Sequence, residues 1–463
     1  MKRKLLSLLV LIMTAVSGAW AQVSGTPDDP WISGDCTLIL SEGTLTVSGT
    51  GAMADYATSN KTPWNANKGN ITSVVIGSGV TSIGNYAFED CTNLASVSIP
   101  ASVTRLGDHA FKNCGTNAAA LTVTFAEGTS PMTIGEYAFK KANLTSITIP
   151  NRVTSIGKSA FNECTNLASV SIPASVTSLG EEAFLQCGTN AAALTVTFAE
   201  GTSPMTIGLA AFAKSNLTSI TIPNRVTSIG NYAFHKCTNL ATITLNSNPT
   251  IGVDAFLEIK DGATVTMNLT ANSGDGAYWM TFYNKNYGFT ADTNTKIYKA
   301  KVNGTTTAVV LTAVDDIPAG NAAVLKSSNE VVTMTLASST SGDYTDNELK
   351  GAASATVVAA GDNIYCLSNE TTREGGLTPR GVGFYTYTGT IPVNRAYLAV
   401  TDDPSTSRGF LGFGDDDDAT AIDNGKWKID NSDGTIYDLS GRIVTGQPRK
   451  GIYVKNGKLV VIK

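Results

Sequence analysis

Charge is what this chain has least of. Lys, Arg, Asp and Glu make up 15 % of its 463 residues, against about 25 % in ordinary soluble domains. The balance is mild, a formal net charge of −5. Nucleic-acid binding needs clustered Lys and Arg, so no nucleic-acid partner is expected, and long-range steering by charge is weak. Histidine is scarcer still, with only His109 and His235. Neither has Cys or carboxylate companions at zinc-ligand spacing, and both are expected as exposed residues of the coil. The Gly-x-Ser-x-Gly elbow, the P-loop and the dinucleotide glycine fingerprint are missing from their required contexts. Asp315-Asp316 and Asp402-Asp403 are carboxylate pairs of the kind a glycosidase uses, but adjacent loop aspartates are far more often solvated turns. The expectation is a non-enzyme with no catalytic residues, no metal and no cofactor.

Long apolar runs are also missing, with one exception. Lys2, Arg3 and Lys4 precede the run Leu5 to Val16, and Ala19-Trp20-Ala21 offers a small-residue cleavage site before Gln22. This reads as a signal peptide over 1–21, cut between Ala21 and Gln22. It is too short to span a bilayer, which takes about 20 apolar residues, so no transmembrane segment is expected. No cysteine follows until Cys36, which argues against a lipid anchor.

What the chain does have is repetition. Val80-Thr81-Ser82-Ile83-Gly84 returns as Val153 to Gly157 and as Val226 to Gly230, each displaced by 73 residues. An Ala-Phe pair recurs at Phe88, Phe111, Phe139, Phe161, Phe184, Phe212, Phe234 and Phe256, in steps of 22, 23 or 28. A period of roughly 20–29 residues marks a leucine-rich solenoid, whose units bury their apolar faces only by stacking. Leu94, Val97 and Ile99 fit inward strand positions, Pro100 stops the strand, and Gly107 is expected to permit the bend that turns the coil. A short helical or 3₁₀ turn is expected to carry the Ala-Phe pair. Three residues after each of the first seven repeat phenylalanines stand Cys91, Cys114, Ala142, Cys164, Cys187, Ser215 and Cys237. A slot that accepts Cys, Ala or Ser is a small buried packing position, so these thiols are read as unpaired core groups despite the export signal.

Two coils hold the same longer text, Gly115 to Met132 and Gly188 to Met205. Their extra residues must loop outward, since a filled interior has no room. A duplicated 73-residue block explains the pair better than a paired contact site does.

The fold class is mainly β: a leucine-rich-repeat solenoid of about eight coils, an all-β sandwich-like domain and a small β module. After the signal peptide, 22–70 reads as an N-terminal β cap with Trp31 and Trp64 packing on the first coil. The solenoid occupies 71–260. Irregular strand-like runs over 261–413 suggest the sandwich. Residues 414–424, with four consecutive aspartates, read as an acidic linker. Residues 425–463 form the last module, with Asn456-Gly457 as a hairpin signal.

The unit Leu94-x-x-Val97-x-Ile99-Pro100-x-x-Val103-x-x-Leu106-Gly107-x-x-Ala110-Phe111-x-x-Cys114 resembles the BspA-like leucine-rich repeats of bacterial surface proteins. That likeness covers about 40 % of the chain, and Gly43 to Met53 with Thr62-Pro63-Trp64 looks like the segment that leads into such repeats. The tail Ile436-Tyr437-Asp438-Leu439-Ser440-Gly441-Arg442-Ile443-Val444, with Lys450-Gly451-Ile452-Tyr453-Val454 and Val460-Val461-Ile462-Lys463, is similar to the C-terminal sorting domains of the type IX secretion pathway. The resemblance implies a secreted or outer-surface protein of a Gram-negative bacterium, with the periplasm as the alternative. It implies adhesion to host or bacterial surface proteins, and contact with secretion machinery through the tail.

Small hydroxylated residues face outward along the repeat strands. Thr72, Ser73, Ser96, Ser98, Thr145, Ser146, Thr148, Ser169, Ser171, Thr218, Ser219, Thr221, Thr242 and Thr244 form the expected partner-binding face. Hot spots usually need Trp, Tyr or Arg; Tyr86, Arg105, Tyr137, Arg152, Arg225 and Tyr232 are the candidate rim anchors, against a plain structural rim. A glycan-binding reading places sugar on 261–413 through Tyr278, Trp279 or Tyr283, and a third reading is a spacer without ligand.

Overall fold

The computed structural model describes residues 25–274, 276–303, 308–337, 341–353, 355–358, 364–370, 381–386, 389–391, 394–399 and 410–411, and the strands at 436–437, 451–455 and 458–462. The expected signal peptide with Ala21 and Gln22, the expected linker 414–424 and the expected hairpin turn at 456–457 lie outside the described residues. The chain forms two compact units: Met1–Ile220 with Gly230–Ala241 and Asp254–Asp261, and Thr221–Ile229 with Thr242–Val253 and Gly262–Lys463.

The first unit opens with three antiparallel strands, Trp31–Ser33, Cys36–Ser41 and Thr44–Gly49. Thr44–Gly49 then pairs in parallel with Ser73–Ile76, Leu45 beside Val74 and Val47 beside Ile76. One strand thus converts a hairpin into a solenoid ladder. The parallel order continues through Ser96–Ile99 and Thr122–Phe125, and resumes over Ser146–Thr148, Ser169–Ile172 and Thr195–Phe198. Between Thr122–Phe125 and Ser146–Thr148 only the bridge Leu121–Leu144 survives. The sequence explains the break. One residue separates Leu121 from Val123, whereas two separate Leu144 from Ile147. Continued in register from that bridge, inward Val123 would meet outward Ser146, so the bridge does not extend into a ladder.

A second parallel ladder runs through Ser82–Ile83, Arg105–Leu106, Met132–Ile134, Val153–Ile156, Ser178–Leu179 and Met205–Ile207. Beside it the glycines Gly107, Gly135, Gly157, Gly180 and Gly208 form a column. None has positive φ. A Cβ on Gly107 would lie 2.5 Å from Asn85 N, and one on Gly180 2.5 Å from Gly157 C. The glycine is therefore required by the close approach of successive coils, and the expected role in the bend is corrected accordingly.

The Ala-Phe pairs sit on runs of consecutive turns, not on a helix; among the described residues the one 3₁₀ segment is Asn65–Asn70. Two residues per coil take left-handed φ: Tyr86 (57°) and Asp90 (62°), His109 (57°) and Asn113 (60°), and so on to Asp254 (54°) and Glu258 (55°). These interrupt any helix and aim alternate N–H groups at the next coil. Tyr86 N donates to Asp108 O, Phe88 N to Ala110 O and Asp90 N to Lys112 O, at 2.8–2.9 Å. The same triplet recurs at His109, Phe111 and Asn113. Backbone hydrogen bonds that a helix would have kept inside one coil instead join neighbouring coils.

Inside, the eight phenylalanines stack face to face with centroid spacings between 5.0 and 5.9 Å. Trp64 closes the column 6.2 Å from Phe88 and donates its Nε1–H to Ala87 O at 3.0 Å; Trp31 stands 6.1 Å behind it. All seven cysteines are free. Cys114, Cys164, Cys187 and Cys237 each donate to the Phe carbonyl of the preceding coil at 3.0–3.1 Å. The slot holds a small side chain that lies against that carbonyl.

Within the second unit, Thr242–Leu245 pairs in parallel with Thr264–Thr270, which takes Val331–Leu336 antiparallel on its other edge. Two five-stranded antiparallel sheets follow. They share a core of Trp279, Tyr283, Tyr298, Leu311, Val324, Tyr365, Phe384 and Leu398. Trp279 and Tyr283 are thus core aromatics (5 % and 7 % exposed) and do not form a sugar platform. Ile436–Tyr437, Gly451–Lys455 and Lys458–Ile462 make a separate antiparallel sheet.

Candidate binding face

Alternation along each repeat strand fixes the face. Val97 and Ile99 are buried while Ser96 and Ser98 are exposed; Val170 and Ile172 are buried while Ser169 and Ser171 are exposed. In the first unit the register places Ser73 beside Ser96 beside Thr122, and Ser98 beside Thr124. After the break, Ser146, Ser169 and Thr195 form one column, and Thr148, Ser171 and Thr197 the other. In the second unit Thr242 pairs with Thr264 and Thr244 with Thr266. Two columns of hydroxyls result.

Thr122, Thr124, Thr195 and Thr197 belong to these columns and were not singled out in the sequence. The 28-residue steps shift the phase of their coils, which hides them. The alternation in Leu121-Thr122-Val123-Thr124-Phe125 was the signal that could have found them. Thr72, Thr145 and Thr218 precede their strands and are exposed. Ser219 and Thr221 are exposed on the strand Ser219–Ile222. Val75 takes a column position beside Ser98 and is 43 % exposed.

The hydroxyls are partly engaged with one another and with the backbone. Ser96 Oγ donates to Ser73 Oγ at 3.0 Å, Thr124 Oγ1 to Val97 O at 3.3 Å, and Thr72 Oγ1 to Gly43 O at 3.2 Å. Each keeps acceptor capacity for an incoming group.

The rim candidates divide. Tyr86 and Tyr137 are brought together by His109, whose ring lies 4.4 Å from one and 4.7 Å from the other. His109 is therefore half-buried, and the expectation of an exposed histidine is corrected; its Nδ1 is buried without a hydrogen-bond partner. Burial, with Lys112 close by, pushes its pKa down. His235 is half-buried as well, with Nε2 3.3 Å from Glu258 Oε1. Tyr232 is 39 % exposed and meets His235 edge-on at 5.6 Å.

Arg105 reaches Asp55 at 3.2 Å and Asn85 Oδ1. Burial of the Asp55 carboxyl works against ionisation, but the Asn85 N–H and the Arg105 guanidinium outweigh it and hold the pKa down. Arg152 is 4 % exposed and donates to Val103 O at 2.5 Å and Pro100 O at 3.2 Å. Arg225 is equally buried. Neither residue stands exposed at a rim, because each is buried. The outward loops are as expected: residues 126–131 are exposed throughout.

A family model described as BspA type leucine rich repeat region matches in six copies over residues 65–189, 132–256 and 194–285. The repeat region is of the BspA type. Solved structures similar to this chain include a leucine-rich repeat protein from Eubacterium ventriosum, 24 % identical with a TM-score of 0.29, over 47 % of this chain and 72 % of that one. A leucine rich cell surface protein from Faecalibacterium prausnitzii is 22 % identical, TM-score 0.20, over 51 % and 95 %. Pneumococcal vaccine antigen PcpA is 15 % identical, TM-score 0.25, over 52 % and 71 %. No curated protein sequence matches the chain. Among the described residues no helix is long and apolar enough to cross a membrane, and no three metal-ligating side chains converge.

Proposed function

We propose that this is an exported, surface-associated protein that adheres to host or bacterial surface proteins through the hydroxyl columns of its BspA-type repeats. The observation that carries the reading is the register: strand after strand, Val75 aside, presents small polar side chains outward in aligned columns and turns its alternate apolar residues inward. A hydroxyl contact is worth about 0.5–1.5 kcal/mol, so one coil holds little. Many coils engaged at once, or many copies on one surface, convert weak contacts into firm attachment. Export by the N-terminal segment, and passage to the outer surface of a Gram-negative cell through the C-terminal sheet, belong to the same proposal.

The test presents the mature chain to immobilised matrix proteins, mucins and bacterial cells. The double variant Ser98→Lys/Ser171→Lys places charged, bulky groups on both stretches of the columns without touching the core. Expected is saturable binding by the natural chain and at least tenfold weaker binding by the variant at an unchanged unfolding midpoint. Equal binding by the two chains removes the face from the proposal. Complete protection of the protein from protease added to intact cells removes its surface location.

A further inference from the structure

We infer that the second unit holds a separate saccharide site, built for one sugar residue bearing a carboxylate. A cavity of about 350 Å³ opens there beside the strands Thr264–Thr270 and Ala277–Tyr283. That lies at the small end of ligand pockets, roughly 300–1,000 Å³, and suits a single ring better than a chain.

Its walls are amides. Asn246, Asn248, Asn268 and Asn394 all line it. Asn248 and Asn394 brace each other: Asn394 Nδ2 donates to Asn248 O at 3.0 Å, and Asn248 Nδ2 to Asn394 O at 3.3 Å. Asn268 Oδ1 accepts from Thr333 Oγ1 at 3.3 Å. The wall is therefore set before any ligand arrives, which lowers the ordering cost of binding. Asn248 Oδ1 is buried and has no hydrogen-bond partner, an arrangement that costs about 1–3 kcal/mol until a donor reaches it. A ligand hydroxyl is such a donor. Primary amides both donate and accept, as vicinal hydroxyls do.

Leu269 and Met280 provide an apolar floor for ring C–H groups. The cavity has one charged lining residue, Arg395, and no lining carboxylate. Arg395 is exposed and has no ion-pair partner among the described residues. A guanidinium binds a carboxylate with two parallel hydrogen bonds. One cation beside a ring of amides calls for one anion on a polyhydroxylated body, which is the chemistry of a uronic-acid residue.

Calorimetric titration of the full mature chain with D-glucuronate, D-glucose and acetate tests this. Expected is saturable binding of glucuronate at least tenfold tighter than either of the others. Arg395→Gln should erase the preference over glucose, and Asn246→Leu should weaken both sugars at least threefold, each at an unchanged unfolding midpoint. The variant Ser98→Lys/Ser171→Lys should bind glucuronate normally, which separates this site from the adhesion face. Acetate binding as tightly as glucuronate, an Arg395→Gln chain that still prefers glucuronate, or no saturation by glucuronate at tens of millimolar overturns the inference.

Discussion

The ring of Phe184 lies 5.0 Å from that of Phe161, with their planes 5° apart. On its other side Phe212 stands at 5.3 Å and 6°. Phe184 is therefore flanked on both faces inside a column that excludes water. Phe184→Ala removes both contacts and leaves a cavity that neighbouring coils cannot close, at a cost of about 3–5 kcal/mol. Phe256 stacks on Phe234 at the longer spacing of 5.9 Å and is 6 % exposed, so its ring is less tightly packed in the column. Phe256→Ala should cost clearly less. Urea unfolding followed by tryptophan fluorescence and circular dichroism measures both; equal losses would mean that stacking position does not govern the core.

The backbone gives a paired test in adjacent residues. Ala210 sits at φ 52°, while Ala211 has ordinary φ and is fully buried. Left-handed backbone is unfavourable for any residue with a Cβ, by about 1–2 kcal/mol, and glycine escapes that penalty. Ala210→Gly should raise stability by about 0.5–1 kcal/mol after the added freedom of the unfolded chain is counted. Ala211→Gly should lower it. Gly180→Ala should lower it most, since the new methyl meets backbone of the previous coil at 2.5 Å and overpacking costs about 1–3 kcal/mol. Thermal and urea midpoints rank the three.

The inward pattern was legible because burial and period are both linear in sequence: Leu, Val, Ile and Phe recur at fixed offsets, and all point in. The small slot at Cys91, Ala142 and Ser215 was legible for the same reason. Paired left-handed residues were not, since Tyr86, Glu182, Ala210 and Asp254 share no side-chain chemistry; only the hydrogen bonds between coils impose that conformation. The true role of Gly107 was hidden because its constraint comes from Gly84 and Asn85, a coil away. Burial of Arg152 and Arg225 was likewise invisible: Arg152 folds onto the carbonyls of Val103 and Pro100, partners that sequence spacing does not reveal.

The repeat thiols should be inert in the folded protein. Burial pushes the Cys237 thiol up to about 11, and those of Cys114 and Cys187 well above their ordinary value. Only the thiolate reacts, so at pH 8 a shift of this size suppresses the reactive fraction by about two orders of magnitude. Iodoacetamide labelling with site-by-site mass spectrometry should find Cys91, Cys114, Cys164, Cys187 and Cys237 unmodified in native protein. All should label after unfolding in guanidinium. Rapid native labelling of any one of the five would contradict its burial.

His109 supplies a pH dependence whose sign follows from its surroundings. Burial between Tyr86 and Tyr137 disfavours the imidazolium, and Lys112 and Lys140 act in the same direction; Glu89 and Asp108 oppose them and do not prevail. The folded pKa therefore lies below the unfolded value, about 6.5. Below that pH the unfolded chain binds more protons than the folded one, so stability rises with pH in this window. The contribution is fully present above about pH 6.5 and is lost as pH falls from there through the folded pKa. His109→Gln keeps a residue type that already occupies left-handed backbone at Gln186 and removes the titration. The difference in urea midpoint between pH 5 and pH 7.5 should therefore be smaller in His109→Gln than in the natural chain. An unchanged difference would show that His109 is protonated as readily in the coil as in the unfolded state.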